Sequence, residues 1–232
     1  MNDYDLLAVH ADSLFTYDMR GRMVRSNEPD GHPAPRVLLC YSPSGYIIRF
    51  NQAVPDSVAR RISEVVRLAA HSADLTLLPS TKDAVDDILS NHRASTRQES
   101  GPIYRFPESL ADPAEDVIQL IPSNVALARD SYPWLLTELD EWRPCFAVVR
   151  DGAAVSICFS SRIGQVANEA GVDTLPGYRG RGFASAVTAA WARAVQAGGR
   201  IPLYSTSWDN QASQSVARRL GLIMFGAEST WR

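Results

Sequence analysis

Apolar positions along the chain change period several times, and each change predicts an element. "LFTYDMRGRMVRSN" alternates on either side of Asp18-Met19-Arg20-Gly21 and predicts two strands joined by a turn. "PRVLLCYSPSGYIIRF" predicts a second hairpin that turns near Ser42 to Gly45. "PDSVARRISEVVRLAA" shifts to helical spacing, with Val58, Ile62, Val65, Val66 and Ala69 on one face. A shorter helix follows in "STKDAVDDILSN", where Ser80 is the expected N-cap, Asp83 stands three residues on, and Val85, Ile88 and Leu89 form the stripe. From about 93 to 115 the pattern loosens, becomes polar and holds three prolines, with one short strand candidate at Ile103 to Phe106. The expected domain boundary falls there: an amino-terminal α+β domain over 1–105 and a second domain over 106–232.

The second half is more regular. "DVIQLI" predicts a strand, and "NVALARDSYPWLLTELDEW" one or two helices interrupted at Pro133. "PCFAVVRDGAAVSICFS" predicts two strands joined at Asp151-Gly152, a two-residue hairpin signal. "QVANEAGVDT" is a further strand. The helix after it buries Val187, Trp191, Ala194 and Val195 and stops at Gly198-Gly199. "IPLYSTS", "NQASQSVARRLG" and "LIMFGAESTW" then read as strand, helix and strand. The order predicts an α+β, α/β-like domain with a mixed, mostly antiparallel sheet and one crossover.

Composition narrows the class. The 232 residues are 45% hydrophobic and 21% charged, ordinary for a chain with a sizeable core. A net charge of −3 favours neither nucleic acid nor a membrane surface as partner. No run of 18 apolar residues occurs, and the acidic start "MNDYDLLAVHADSLF" does not read as a signal peptide. Cys40, Cys145 and Cys158 sit in apolar runs and read as reduced, buried thiols, as in a reducing cytoplasm. His10, His32, His71 and His92 show no ligand spacing with each other or with cysteine, so no metal is expected.

The candidate chemistry sits in "LPGYRGRGFASAVTAAW", residues 175–191. A helix start leaves about four N–H groups without partners and carries about half a positive charge. Such a site accepts phosphate oxygens. Gly180 and Gly182 permit a nest of N–H groups, and Arg179 and Arg181 add positive charge. A Walker loop is excluded, because no Lys followed by Ser or Thr comes after the second glycine. A dinucleotide fingerprint would need glycine where Ser185 stands, and an acid where Arg200 precedes "IPLY".

The spacing of Arg179, Gly182 and Ala184 instead resembles the coenzyme A loop of the GNAT N-acetyltransferase superfamily. Downstream, "LYSTSWDNQASQSVARRLGL" resembles the same family's Asn-started helix, with Asn210, Ser213, Ala217, Leu220, Gly221 and Leu222 in register. The resemblance covers roughly 116 to 232 and extends to a subgroup with an extra amino-terminal domain. It implies a GNAT-type sheet flanked by helices and an acetyl-CoA-dependent N-acetyltransferase. The acyl group would pass directly to the amine of a small or amino-acid-like acceptor. Main-chain N–H groups of Arg179, Gly180, Arg181, Gly182, Phe183 and Ala184 would hold the pyrophosphate. Pantetheine would lie beside Val172, Asp173 and Thr174, with Asn210 on the cofactor arm and Ser213 reaching a phosphate or facing solvent.

Catalysis by such a domain needs a neutral amine. Holding a lysine-like amine neutral at pH 7 costs about 4.6 kcal/mol, whereas a thiol leaves as thiolate for about 2 kcal/mol. The base is therefore the larger requirement. Glu169 is the candidate, with Asp173 on the same strand face. The usual family acid, a Tyr seven residues after the motif Asn, is Ala217 here, so Tyr204, Ser207 or Ser215 would substitute. Ala217 also favours the rival reading, an acyl-CoA sensor without catalysis. Finally, only one strand fits after Leu222 where the family makes two. The sheet is then expected to be completed from elsewhere in the chain or by a partner subunit, as in a homodimer.

Overall fold

The run Val37 to Tyr41 lacks the apolar–polar alternation of a half-exposed strand because both of its faces are covered. The computed structural model describes residues 1–69, 79–93, 98–113 and 115–232. In chain order the elements are α1 (Asp3–Leu14), β1 (Phe15–Tyr17), β2 (Met23–Ser26), β3 (Val37–Ser42), β4 (Gly45–Phe50), α2 (Asp56–Ala69), α3 (Pro79–His92), β5 (Gln98–Arg105), β6 (Val117–Gln119), α4 (Leu135–Glu138), β7 (Cys145–Arg150), β8 (Ala153–Ile163), β9 (Ala167–Thr174), α5 (Phe183–Ala197), β10 (Ile201–Ser205), α6 (Gln211–Arg219) and β11 (Ile223–Trp231). Three short 3-10 turns, Val125–Ala128, Leu139–Trp142 and Pro176–Tyr178, complete the set.

These elements group into two units. One comprises Met1–Ile103, Thr206–Asp209 and Met224–Arg232; the other comprises Tyr104–Ser205 and Asn210–Ile223. The first unit is thus not one continuous segment: the chain returns to it twice after residue 105.

In the first unit the strand order is β4-β3-β11-β5. β11 pairs antiparallel with β3, with Glu228 opposite Cys40 and Trp231 opposite Val37. The last strand is therefore flanked by β3 and β5 of this same chain, which realises the first of the two expected ways to complete the sheet. Val37, Leu39 and Tyr41 pack with Val58, Ile62, Val66, Val85 and Leu89 from α2 and α3, and with Trp231. The expected stripe of α3 is buried; in α2 Val58, Ile62 and Val66 are buried, whereas Val65 and Ala69 are half-buried. Helix α3 includes Pro79, so Ser80 lies inside the first turn and is not the cap. Helix α1 covers the opposite face, and its Leu7 stands over Gly226. Asn2 caps α1 through a bond from the Asp5 N–H, 2.9 Å.

In the second unit the order is β10-β9-β8-β7-β6. The β6–β7, β7–β8 and β8–β9 pairs are antiparallel, and only β9–β10 is parallel. The crossover between them is α5, the helix that follows the arginine-glycine stretch. α5 buries Phe183, Val187, Trp191 and Val195. Trp191 is fully buried; its indole N–H donates to Ser160 Oγ at 3.1 Å, and Asn168 Nδ2 donates to the same oxygen at 3.0 Å. That network fixes Asn168 toward α5. By strand alternation Glu169, Gly171 and Asp173 then face the other side of the sheet. The other side is covered by Tyr132, Leu135 and Leu139, packed on Cys145, Ala147 and Ile157.

Candidate functional site

The parallel ladder between β9 and β10 is short. It pairs Ile201 with Ala167, Pro202 with Asn168 and Leu203 with Glu169, and goes no further. β9 nevertheless runs on to Thr174 and β10 to Ser205. β9 remains paired with β8 throughout, Thr174 lying opposite Ser156. The Leu175 N–H donates to the Val155 carbonyl, and the Asp173 carbonyl accepts from Ser156 Oγ. Both therefore point toward β8, and alternation turns the main-chain groups of Val172 and Thr174 toward the β10 side. The two strands separate there, beyond Glu169.

The loop after β9 prepares an anion site. Gly180 and Gly182 have φ of 76° and 90°, a region open to glycine and strained for side-chain-bearing residues. Gly182 is the N-cap of α5, and the first intrahelical bond runs from the Ala186 N–H to the Gly182 carbonyl. The N–H groups of Phe183, Ala184 and Ser185 precede that bond and are the orphan donors of the helix start. Phe183 is buried under the Arg150 guanidinium, 4.7 Å from its ring centre, and anchors the turn. The arginines brace the loop as well as charging it. Arg179 Nε donates to the Thr174 carbonyl at 3.0 Å. Arg181 Nη2 donates to the Gly177 carbonyl at 3.1 Å, and its guanidinium lies 5.2 Å from the Tyr178 ring centre. Both arginines are exposed.

The remaining expected site residues divide by what they touch. Val172 is half-buried against the α5 core, whereas Asp173 is exposed and its carboxylate accepts from the Thr174 N–H. Thr174 Oγ1 lies 2.7 Å from Ser156 Oγ. Asn210 caps α6 by accepting from the Ser213 N–H at 3.0 Å. Replacing Asn210 by alanine should cost about 1 kcal/mol of stability, read as a lower denaturant midpoint with an unchanged slope. Ser213 Oγ is turned toward the Tyr204 hydroxyl, 2.7 Å away. Tyr204 is buried, and burial pushes its hydroxyl up to about 12, with the Ser213 hydrogen bond acting in the opposite direction. Glu169 is 1% exposed and stands opposite Arg162 across the β8–β9 pair, at the last paired position before the strands separate.

Two features escaped the sequence reading. Tyr104, in β5, lies edge-on to Tyr204 with ring centres 6.4 Å apart, in the cluster that contains the fully buried Ala217. Burial raises its hydroxyl while Arg218 lowers it. No local signal links residue 104 to 217, because the two meet only through packing. The second feature is a set of three half-buried rings, Trp134, Trp142 and Phe159, edge-on to each other at 5.2–5.3 Å. Phe159 lies over Gly171, where a Cβ would come within 2.5 Å of the ring. These rings therefore share the sheet face of Glu169 and Asp173.

Residues 145–227 match the family described as GNAT acetyltransferase. A GNAT-family acetyltransferase of Colwellia psychrerythraea is similar in fold, with a TM-score of 0.51 and 13% identity over 81% of this chain and 80% of that one. A Drosophila protein matches with a TM-score of 0.51 and 16% identity over 81% and 73%. A GNAT-family protein of Novosphingobium aromaticivorans gives a TM-score of 0.47 and 20% identity over 59% of this chain; the match spans 65% of that chain's length. No curated protein matches the chain by sequence.

Proposed function

We propose that this chain, whose residues 145–227 match the GNAT acetyltransferase family, is an acetyl-CoA-dependent N-acetyltransferase acting on the amine of a small-molecule acceptor. The observation that carries this reading is the early end of the β9–β10 ladder at Glu169 and Leu203, directly ahead of the Gly182-started helix. A gap bordered by main-chain donors and acceptors suits an amide-bearing arm such as pantetheine. The orphan N–H groups of Phe183, Ala184 and Ser185 suit its pyrophosphate. Bound there, the thioester supplies the activated acyl group. The chain's own residues hold the carrier, exclude water and manage protons. Glu169 is the proposed base for the acceptor amine. Tyr204, with Tyr104 beside it, is the proposed source of a proton for the departing thiolate.

A second reading, an acyl-CoA-binding sensor, is favoured by Ala217, where the family's usual phenol is missing. Thiol release from acetyl-CoA against a panel of amines separates the two, with calorimetry of coenzyme A binding run in parallel. Release with at least one amine supports the enzyme. Binding without release across the panel supports the sensor, and absence of binding overturns both. No described helix is long and apolar enough to cross a membrane. The three cysteines are buried and form no disulfide, which fits the proposed cytoplasmic setting.

A further inference from the structure

In the first unit, α1, β3 and β11 bring together three side chains that have no part in the proposed acyl transfer. His10 and Cys40 are fully buried. Glu228 faces Cys40 directly across the β3–β11 pair, so their side chains leave the same face of the sheet. That face is the one covered by α1, which lays His10 over the pair. His10 Nε2 lies 2.9 Å from a Glu228 carboxylate oxygen. One donor atom from each of the three residues lies within 4.8 Å of the others.

We propose that His10, Cys40 and Glu228 form a binding site for a zinc-like divalent cation. The donor set is an imidazole nitrogen, a thiol and a carboxylate, the three kinds of ligand that zinc takes. Metal–ligand distances of about 2.0–2.3 Å in a tetrahedral site place neighbouring donors about 3.4–3.6 Å apart. Reaching that geometry needs the His10–Glu228 pair, 2.9 Å apart, to open by about half an ångström, within the 4.8 Å that the three donors already span. Charge also balances. The ion would displace the thiol proton, and its remaining positive charge would cancel the carboxylate, so the filled site is neutral. Glu228 is the one member of the three whose side chain keeps exposure, 19%. Solvent therefore reaches the site along its carboxylate and supplies the fourth ligand. Such a site ties the first helix to the third and last strands of its unit and would act as a structural clamp. Sequence spacing does not reveal it, because positions 10, 40 and 228 meet only after β11 pairs with β3.

Cobalt(II) titration of the chelator-treated, full-length protein tests the site without reference to acetyl transfer. One equivalent should produce the strong visible bands of tetrahedral cobalt together with a thiolate-to-cobalt charge-transfer band. Zinc should displace it and raise the melting temperature. Cys40→Ser should lose the charge-transfer band, and His10→Gln should weaken or lose the visible bands. Cys145→Ser, in the other unit, should keep both. Absence of these bands in the folded wild type overturns the proposal, as does their persistence in Cys40→Ser. Because wild type is itself a decisive sample, a variant that fails to fold leaves the test intact.

Discussion

Gly182→Val is expected to lower coenzyme A affinity by at least about 100-fold while leaving a folded protein. Gly182 sits at φ 90°, a conformation that valine strongly disfavours. A Cβ built there also meets an Arg219 guanidinium nitrogen at 2.9 Å, the far end of a flexible side chain that can move aside, so the backbone conformation is the main obstacle. The residue must therefore rotate, and the first turn of α5 rotates with it. The N–H groups of Phe183, Ala184 and Ser185 then lose their common aim. Each charge-assisted hydrogen bond to a phosphate is worth about 1.5–3 kcal/mol, so losing two removes about 3–6 kcal/mol. At about 1.4 kcal/mol per tenfold, that exceeds two decades of affinity. Part of the stability cost falls on Phe183, the first buried residue of the stripe, whereas Val187, Trp191 and Val195 lie further along the helix and keep it docked. Gly180→Ala makes an internal control. It has open space around its would-be Cβ and pays only the conformational term of about 1–2 kcal/mol. Calorimetry with coenzyme A, alongside thermal melting, reads both variants. Wild-type affinity in a folded Gly182→Val protein would sink the loop assignment.

Glu169→Gln is expected to lower kcat by about 10²- to 10⁴-fold, the usual range for a general base, with coenzyme A affinity unchanged. The substitution is isosteric, and the neighbouring β9–β10 ladder is main-chain bonded, so the strand geometry survives. Tyr204→Phe should slow turnover by less than tenfold. The Tyr204 hydroxyl is held by Ser213 at 2.7 Å in a buried setting. The thiolate it would protonate leaves at a smaller energetic cost than the amine proton. Steady-state rates with an acceptor identified from the amine panel give the ranking. A larger loss in Tyr204→Phe than in Glu169→Gln would move the essential proton transfer away from Glu169. The contrast matters because Glu169 is almost wholly buried and faces Arg162 in register. A carboxylate so placed has a plain structural use as well, and only a rate, with binding held constant, tells the two apart.

The two experiments address different parts of one arrangement. Gly182 lies in the loop that follows β9, and Glu169 lies where β9 parts from β10. If the first prediction holds and the second fails, the chain binds the carrier without using Glu169, which shifts weight to the sensor reading or to another base. Phe159, which lies over Gly171, and the two rings against it border the same sheet face as Glu169, so they are the natural place to look for acceptor contacts in variants that keep coenzyme A binding.

The local parts of this molecule were legible from residue order. Alternation around residues 18–21 and 42–45, the apolar stripes of α2 and α5, and the two-residue turn at Asp151-Gly152 each depend on neighbours within a few positions. Backbone sterics and side-chain period act at that range. The arginine-glycine loop belongs to the same class, since two glycines, a helix start and a capping geometry are set within eight residues. Helix α1 was passed over because its buried stripe includes His10 and Ser13 among the apolar residues, which blurs the periodic signal. Ser80 has the residue type of a cap, but it lies inside the helix that already includes Pro79. What no segment could disclose is where distant segments meet. The parting of β9 and β10 at Glu169, the return of residues 206–209 and 224–232 to the first unit, the pairing of Tyr204 with Ser213, and the gathering of His10, Cys40 and Glu228 are all of this kind. They follow from strand register and from which faces are buried together. Those quantities are fixed by the free energy of the whole packed arrangement and leave no mark at any single position in the chain.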